Sequence, residues 1–262
     1  MKPISLHIAI LFVFLLGSVD VLRGQGFDWQ YSSRLPTNYP SFFLGATGSG
    51  MWSRHTASMK YEAILPNGKL CDCGAVFRSA EGLDWSVGIT AEYWLPNLNM
   101  ALYGMLQVEQ HSATFTSPGR ELPLNPNVYT ISSIATTYTL QTQTLNISID
   151  AGLKIKLAPI PIFAAVGVQG SSVLVRQLNL QEEATISTFR YFASNLPTDF
   201  ITFQPFVLSG RAALGVDIPL TRSVYASPAV FATIPFSSII RGNEWSRLSF
   251  GVQVSLLYGF LP

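Results

Sequence analysis

The stretch Leu248-Ser249-Phe250-Gly251-Val252-Gln253-Val254-Ser255-Leu256-Leu257-Tyr258-Gly259-Phe260 decides the fold. Side chains along a β-strand point alternately to its two faces, so residues two apart share a face. Leu248, Phe250, Val252, Val254, Leu256, Tyr258 and Phe260 fall together on one face. Ser249, Gly251, Gln253, Ser255 and Gly259 fall on the other, with Leu257 as the exception. Alternation this long places a strand between an apolar and a polar environment.

The same pattern recurs towards the N-terminus. Leu145, Ile147, Ile149, Ala151, Leu153, Ile155 and Leu157 alternate with Thr144, Asn146, Ser148, Asp150, Gly152, Lys154 and Lys156. Leu208, Ala212, Leu214, Val216 and Ile218 oppose Ser209, Arg211, Gly215 and Asp217. Trp85, Val87, Ile89, Ala91 and Tyr93 oppose Asp84, Ser86, Gly88, Thr90 and Glu92. In all, eight strand segments are expected, roughly 41–53, 84–94, 99–115, 138–157, 160–175, 206–218, 223–235 and 246–260. Those around Ala164 and Ala229 alternate poorly, so ten strands is the alternative count. The intervening connections alternate in length. Leu95 to Leu98, Ala158 to Pro159 and Pro219 to Arg222 are short, and each holds a proline that stops a strand. The stretches 54–83, 116–137, 176–205 and 236–245 read as long loops.

Composition says what surrounds the apolar faces. The chain has 262 residues, of which 48% are hydrophobic and 12% charged, about half the charge of an ordinary soluble domain. Its 16 basic and 15 acidic residues nearly cancel, so nucleic acid is not an expected partner. After the first residues no run of roughly 18 apolar residues offers a membrane helix. The N-terminus resembles a cleavable secretory signal, with Lys2, an apolar core from Ile8 to Gly17, and small residues Ser18, Gly24 and Gly26. We expect a signal peptide at 1–24, a periplasmic lead-in at 25–40 and one barrel domain at 41–262.

An apolar sheet face turned to lipid must belong to a closed barrel, because hydrocarbon offers no partner to a free strand edge. The expected fold is therefore all-β: a closed antiparallel transmembrane β-barrel of eight strands. Short turns belong in the periplasm and long loops outside the cell. On this mapping Phe42, Phe43, Tyr93, Trp94, Tyr258 and Phe260 form a periplasmic ring of aromatics. Trp52, Trp85, Phe115, Tyr138, Phe206, Phe236 and Trp245 form an outer one. Eight strands leave a lumen that side chains fill. Glu92, Glu109, Asp150, Lys154, Lys156, Arg211 and Asp217 fall on the lumen face, with both signs present for mutual neutralisation.

This arrangement resembles the small outer-membrane barrels of the OmpA-type superfamily, specifically barrels without a peptidoglycan-binding domain. Leu70-Cys71-Asp72-Cys73-Gly74, Phe77, Ser79 and the run Trp85-Ser86-Val87-Gly88-Ile89 resemble the first loop and second strand of such proteins. Ser249, Gly251, Val254 and Leu256 resemble the signal that the outer-membrane assembly machinery reads, although Leu261 and Pro262 follow the last aromatic. The resemblance implies a bacterial outer-membrane location, with outer-membrane lipid and that machinery as partners. An extracellular ligand at the long loops completes the set.

Candidate chemistry is sparse. Cys71 and Cys73 form a C-x-C pair in the expected first loop, with too few neighbouring ligands for a metal site. A local disulfide or two thiols is the preferred reading. His111, near Glu109 and Ser112, is the one candidate for a base–nucleophile pair, against its reading as a polar rim residue. Asn146-Ile147-Ser148 matches a glycosylation acceptor but reads as lumen polarity. Gly45, Gly48 and Gly50 lack the Lys-Ser of a phosphate loop. No catalytic residue, cofactor or metal is assigned. The expected role is structural or surface-binding. A narrow pore or ligand-carrying barrel is the alternative, and an acyltransferase or protease using His111 is third.

Overall fold

The computed structural model describes residues 41–64, 70–95, 98–119, 122–123, 133–157, 161–186, 189–221 and 223–260. Their strands are β1 (Phe42–Ile64), β2 (Leu70–Trp94), β3 (Met100–Pro118), β4 (Leu122–Pro123), β5 (Ser133–Lys156), β6 (Ile162–Ile186), β7 (Phe189–Leu196), β8 (Val207–Val216), β9 (Ile218–Pro219), β10 (Val224–Pro235) and β11 (Glu244–Phe260). Eight of them, β1, β2, β3, β5, β6, β8, β10 and β11, pair in a ring, all antiparallel. Closure comes from β1 against β11, in register from Phe42↔Phe260 to Ser58↔Glu244. β4, β7 and β9 are short additions on β5, β6 and β10. The strand count is thus eight, and the two poorly alternating segments are the ring strands β6 and β10.

Facing follows the parity of the sequence. On β11, Ser249 and Ser255 are buried while Phe250, Val252, Val254 and Leu256 lie on the outside. Leu257 obeys its parity rather than its chemistry and is buried inside. Backbone hydrogen bonds join the residues that flank the three short connections. Leu95 N–H donates to Met100 O at 2.9 Å, Leu157 N–H to Ile162 O at 2.9 Å and Leu220 N–H to Val224 O at 2.8 Å.

Three of the four long loops differ from expectation, while 236–243 is a connection between β10 and β11 as expected. Most of 54–83 is strand, since β1 runs on to Ile64 and β2 starts at Leu70. β3, β5 and β6 likewise extend beyond their predicted ends. The cause is an inversion of polarity along each strand. Outward positions of β1 run Phe42, Leu44, Ala46, Gly48, Gly50, Trp52 and then Arg54, Thr56, Ser58, Lys60, Glu62. Its inward positions run Phe43, Gly45, Thr47, Ser49, Met51, Ser53 and His55, then Ala57, Met59 and Tyr61, so the inward row is mixed and mostly polar up to His55 and apolar beyond it. β2 changes at the same height, from Leu83 to Glu81. Leu83 pairs with Trp52, and Glu81 with Arg54. Below this line the barrel is apolar outside and carries its polar and charged side chains inside among a few apolar ones such as Met51 and Phe231; above it the order is that of a soluble protein. The eleven residues from Phe42 to Trp52 span about 33 Å of strand, or about 25 Å of height at a ~40° tilt, which matches a hydrocarbon core.

The aromatic rings are corrected in part. Phe42, Tyr93, Tyr258 and Phe260 face outward at one end, and Trp52, Trp85, Phe206 and Phe236 at the other. Phe43, Trp94, Phe115, Tyr138 and Trp245 are instead buried. Their parity turns them inward, where they close the two ends of the lumen. Phe115, Tyr138 and Trp245 join Met59, Tyr61, Phe77, Leu140 and Leu180 in an apolar core above the membrane band. Ile201, Phe203, Ile239 and Ile240 enter the same core from the segments after β7 and β10. An isolated bridge between Phe203 and Ile240 ties those two segments together.

Candidate functional site

Every lumen charge expected from parity is found inside or at the rim, and a narrow barrel brings distant residues within bonding reach. At the end where the tight turns lie, Lys154 Nζ on β5 donates to both oxygens of Glu92 on β2, at 2.9 and 3.1 Å. It also donates to Asp217 Oδ1 at 2.8 Å. Asp217 accepts a further bond from Ser227 Oγ on β10 and lies 3.5 Å from Lys156 Nζ. Lys154 Nζ sits 4.1 Å from the centre of the Phe163 ring, and Lys156 Nζ 4.2 Å from that of Trp94. The ammonium groups thus meet both carboxylates and aromatic faces, which offsets their desolvation.

Midway up, the Arg211 guanidinium lies 3.4 Å from Asp150 Oδ2 and donates to Gln253 Oε1. It stacks 4.0 Å over the Phe231 ring. Tyr103 covers the facing glycines Gly152 and Gly167, where an added Cβ would meet its ring carbon at 2.8 Å and its hydroxyl at 2.4 Å. Glycine is required there because backbone also occupies the space, Val166 O lying 2.2 Å from a Cβ at Gly152 and Ala151 O 2.6 Å from one at Gly167.

At the outer rim His111 on β3 lies between two carboxylates. Its Nδ1 is 2.8 Å from Asp84 Oδ2 and its Nε2 is 3.0 Å from Glu109 Oε2. Asp84 also accepts from Ser53 Oγ and from the Ser112 N–H, the latter at 2.8 Å. Glu109 accepts from Gln169 Nε2 at 2.6 Å. Above this cluster Trp245 Nε1 donates to His55 Nδ1 at 3.0 Å. A cavity of about 20 Å³ beside His55, His111, Asn146 and Arg247 has room for about one water.

The geometry bears directly on the base–nucleophile candidate. His111 does face inward beside Glu109, as predicted. Both of its ring nitrogens are engaged by carboxylates, so neither is aimed at a hydroxyl. Ser112 points the other way and its Oγ donates to Leu83 O at 3.0 Å. The second carboxylate on His111, beside Glu109, is Asp84. Its inward parity was legible, but its pairing with a residue 27 positions away depends on strand register. Ser53 and Gln169 were missed for the same reason.

Asn146 and Ser148 are buried in the lumen, as expected for lumen polarity. Cys71 and Cys73 fall in β2 rather than in a loop, with Cys71 opposite Ala63 of β1. Their side chains, and the proposed disulfide with them, lie outside the described residues. Among the described residues no cluster of His, Cys, Asp and Glu is arranged to hold a metal ion.

No family model and no curated protein matches this chain. Several solved structures are similar to it in backbone. One is Neisserial surface protein A (NspA), 11% identical over 84% of this chain and 97% of that one, with a TM-score of 0.34. Another is Ail, the attachment invasion locus protein of Yersinia pestis, 9% identical over 82% and 98%, with a TM-score of 0.30. A third is the outer membrane protein AlkL, 10% identical over 87% and 94%, with a TM-score of 0.38. None of these likenesses reaches a TM-score of 0.5, and none assigns this chain a ligand or an activity.

Proposed function

We propose that this chain is an integral bacterial outer-membrane barrel, exported by its N-terminal segment, whose role is structural or surface-binding rather than catalytic or conductive. The closed ring with an apolar outer band supports the membrane part. A band about 25 Å high has no use in water, where it would drive aggregation.

One observation carries the rest: the lumen is filled at each level. The Lys154–Glu92–Asp217 cluster occupies one end and Arg211–Asp150 the middle. Asp84–His111–Glu109 occupies the rim, and the Phe115–Trp245 core lies above it. A solute would have to break paired charges at three heights, each costly to separate. The strands that rise above the band carry a polar outer surface, and that surface is what a partner outside the cell would meet.

The test is a pair of measurements on purified protein. Extraction should require detergent, and the folded form should resist SDS until heated and then shift in gel mobility. In planar bilayers it should give no stable conductance step. A sustained open channel would overturn the closed-lumen part, and extraction without detergent would overturn the membrane part.

A further inference from the structure

Above the membrane band the ring of strands opens. β1 runs on to Ile64, but its partner β11 stops opposite Ser58, at Glu244. β10 ends at Pro235 and β8 begins at Val207. The extended wall is thus an open sheet in the order β7-β6-β5-β3-β2-β1. The segments 197–206 and 236–243 send Ile201, Phe203, Ile239 and Ile240 into the core behind it. Their main-chain bonds join them to each other and to β11. Gln204 N–H donates to Ile239 O at 2.8 Å, Arg241 N–H to Thr202 O at 2.8 Å and Ile239 N–H to Trp245 O at 2.7 Å. Among the described residues no strand pairs with the edge of β7 that faces away from β6. In an antiparallel pair every second residue bonds its partner through the main chain, and the residues between point N–H and C=O the other way. Over the eight residues of β7 that leaves about four such pairs of groups turned outward. The two edges of the sheet differ in character. β1 bears Lys60 and Glu62, 3.2 Å apart, and charges along an edge oppose an added strand. β7 holds a single charge, Arg190, and no proline, and its Phe192 is 61% exposed.

We propose that β7 is a docking edge for an extended peptide segment of another protein outside the cell, which joins the wall as one more β-strand. The main-chain groups supply the affinity of such an addition, and the side chains set opposite one another supply its selectivity. An aromatic or β-branched residue of the peptide is the fitting neighbour for Phe192. Height decides between polypeptide and lipid. On β5 and β6 the outward apolar row ends at the pair Leu145 and Val175, and β7 begins to pair at Leu180, opposite Leu196. From Val175 to Leu180 is about 16 Å of strand, or about 12 Å of height at a ~40° tilt. That exceeds the roughly 5–8 Å of headgroups on one side of a bilayer, so the edge stands in water. The inference rests on the surface-binding reading above and names the partner of that surface.

The experiment uses the full barrel in nanodiscs and a short fluorescein-labelled peptide of alternating threonine and valine, with a central phenylalanine and a lysine at each end. Fluorescence anisotropy should show saturable binding. The same peptide N-methylated at every peptide bond keeps its side chains but has no main-chain donor, and it should not bind. Phe192→Lys places a charge on the edge and should weaken binding by about tenfold. Val76→Lys changes an exposed apolar residue on β2, which has β1 and β3 on its two sides, and should leave binding unchanged. Absence of binding, equal binding by the N-methylated peptide or equal loss in both variants would overturn the proposal. So would a dimer of the peptide-free barrel in sedimentation that Phe192→Lys dissolves, because a second copy would then occupy the edge. Heat-dependent gel mobility is read on the same samples. Loss of the shift in wild-type protein would instead count against the membrane barrel, so the two failures are distinct.

Discussion

Replacing Lys154 by Met tests whether the lumen charges hold the barrel together. Met is of similar length, so the space beside Phe163 stays filled while the charge is removed. Glu92 then loses both of its bonds from Lys154, at 2.9 and 3.1 Å. Asp217 keeps Ser227 and the more distant Lys156. Removing one partner of a buried ion pair costs about 3–5 kcal/mol, because the other charge is left uncompensated. Stripping Glu92 alone reaches that range, and the weaker hold on Asp217 places K154M towards its upper end, about 4–5 kcal/mol. Against a total of about 5–15 kcal/mol for a typical domain, such a loss is severe. The measurement is urea unfolding of refolded protein in lipid vesicles, followed by tryptophan fluorescence. The companion variant K154M/E92Q/D217N removes all three charges and should recover most of the loss, since neutral replacement of a buried cluster is often tolerated. If K154M lies within about 1 kcal/mol of wild type, or if the triple variant is no more stable than K154M, the cluster is not acting as an ion pair in a desolvated lumen.

Three further outcomes test other parts of the structure. Val252→Arg puts a charge on the lipid face and should cost about 2–4 kcal/mol, whereas Ser255→Arg on the lumen face should cost less where it fits; equal losses in vesicle unfolding would mean a wrong register. Phe115→Ala empties a fully buried site above the band and should cost about 3–5 kcal/mol. It should expose the outer extension to added protease while the heat-dependent gel shift persists. Deleting residues from Leu248 onward removes most of β11, the partner of both β1 and β10, and should abolish outer-membrane insertion by fractionation because two ladders lose their hydrogen bonds in hydrocarbon.

What was legible in the sequence was parity. Ser249 through Gly259 declare the inward face of β11 without reference to any other strand, and so do Asn146 through Lys154 on β5. Parity even places Leu257 correctly against its own hydrophobicity. Register was not legible, because it is set by pairs such as Asp84 with His111 that lie on different strands. The rim cluster could therefore be listed by members but not assembled. The aromatics show a related limit. Phe115 and Trp245 lie at the right height for an interfacial ring, and only their inward parity shows that they belong to a core.

The misjudged loops have a single physical origin. In Arg54-His55-Thr56-Ala57-Ser58-Met59-Lys60-Tyr61 the period of two never stops. What changes is which parity carries the unbroken apolar row: even numbers up to Trp52, apart from the glycines, and odd numbers from Ala57. A strand wholly in lipid and a strand wholly in water would each keep one assignment. A strand that leaves the bilayer must exchange them, since lipid outside it is replaced by water and a narrow polar lumen gives way to a packed apolar core. The expected strand ends at Ser53 and Asp84 were in fact the membrane boundary, where Ser53 Oγ donates to Asp84 across β1 and β2. It follows that most of 54–83, and the parts of 116–137 and 176–205 that belong to β3, β5 and β6, are not loops added to a barrel. They continue the same hydrogen-bonded wall, which holds their side chains in rows.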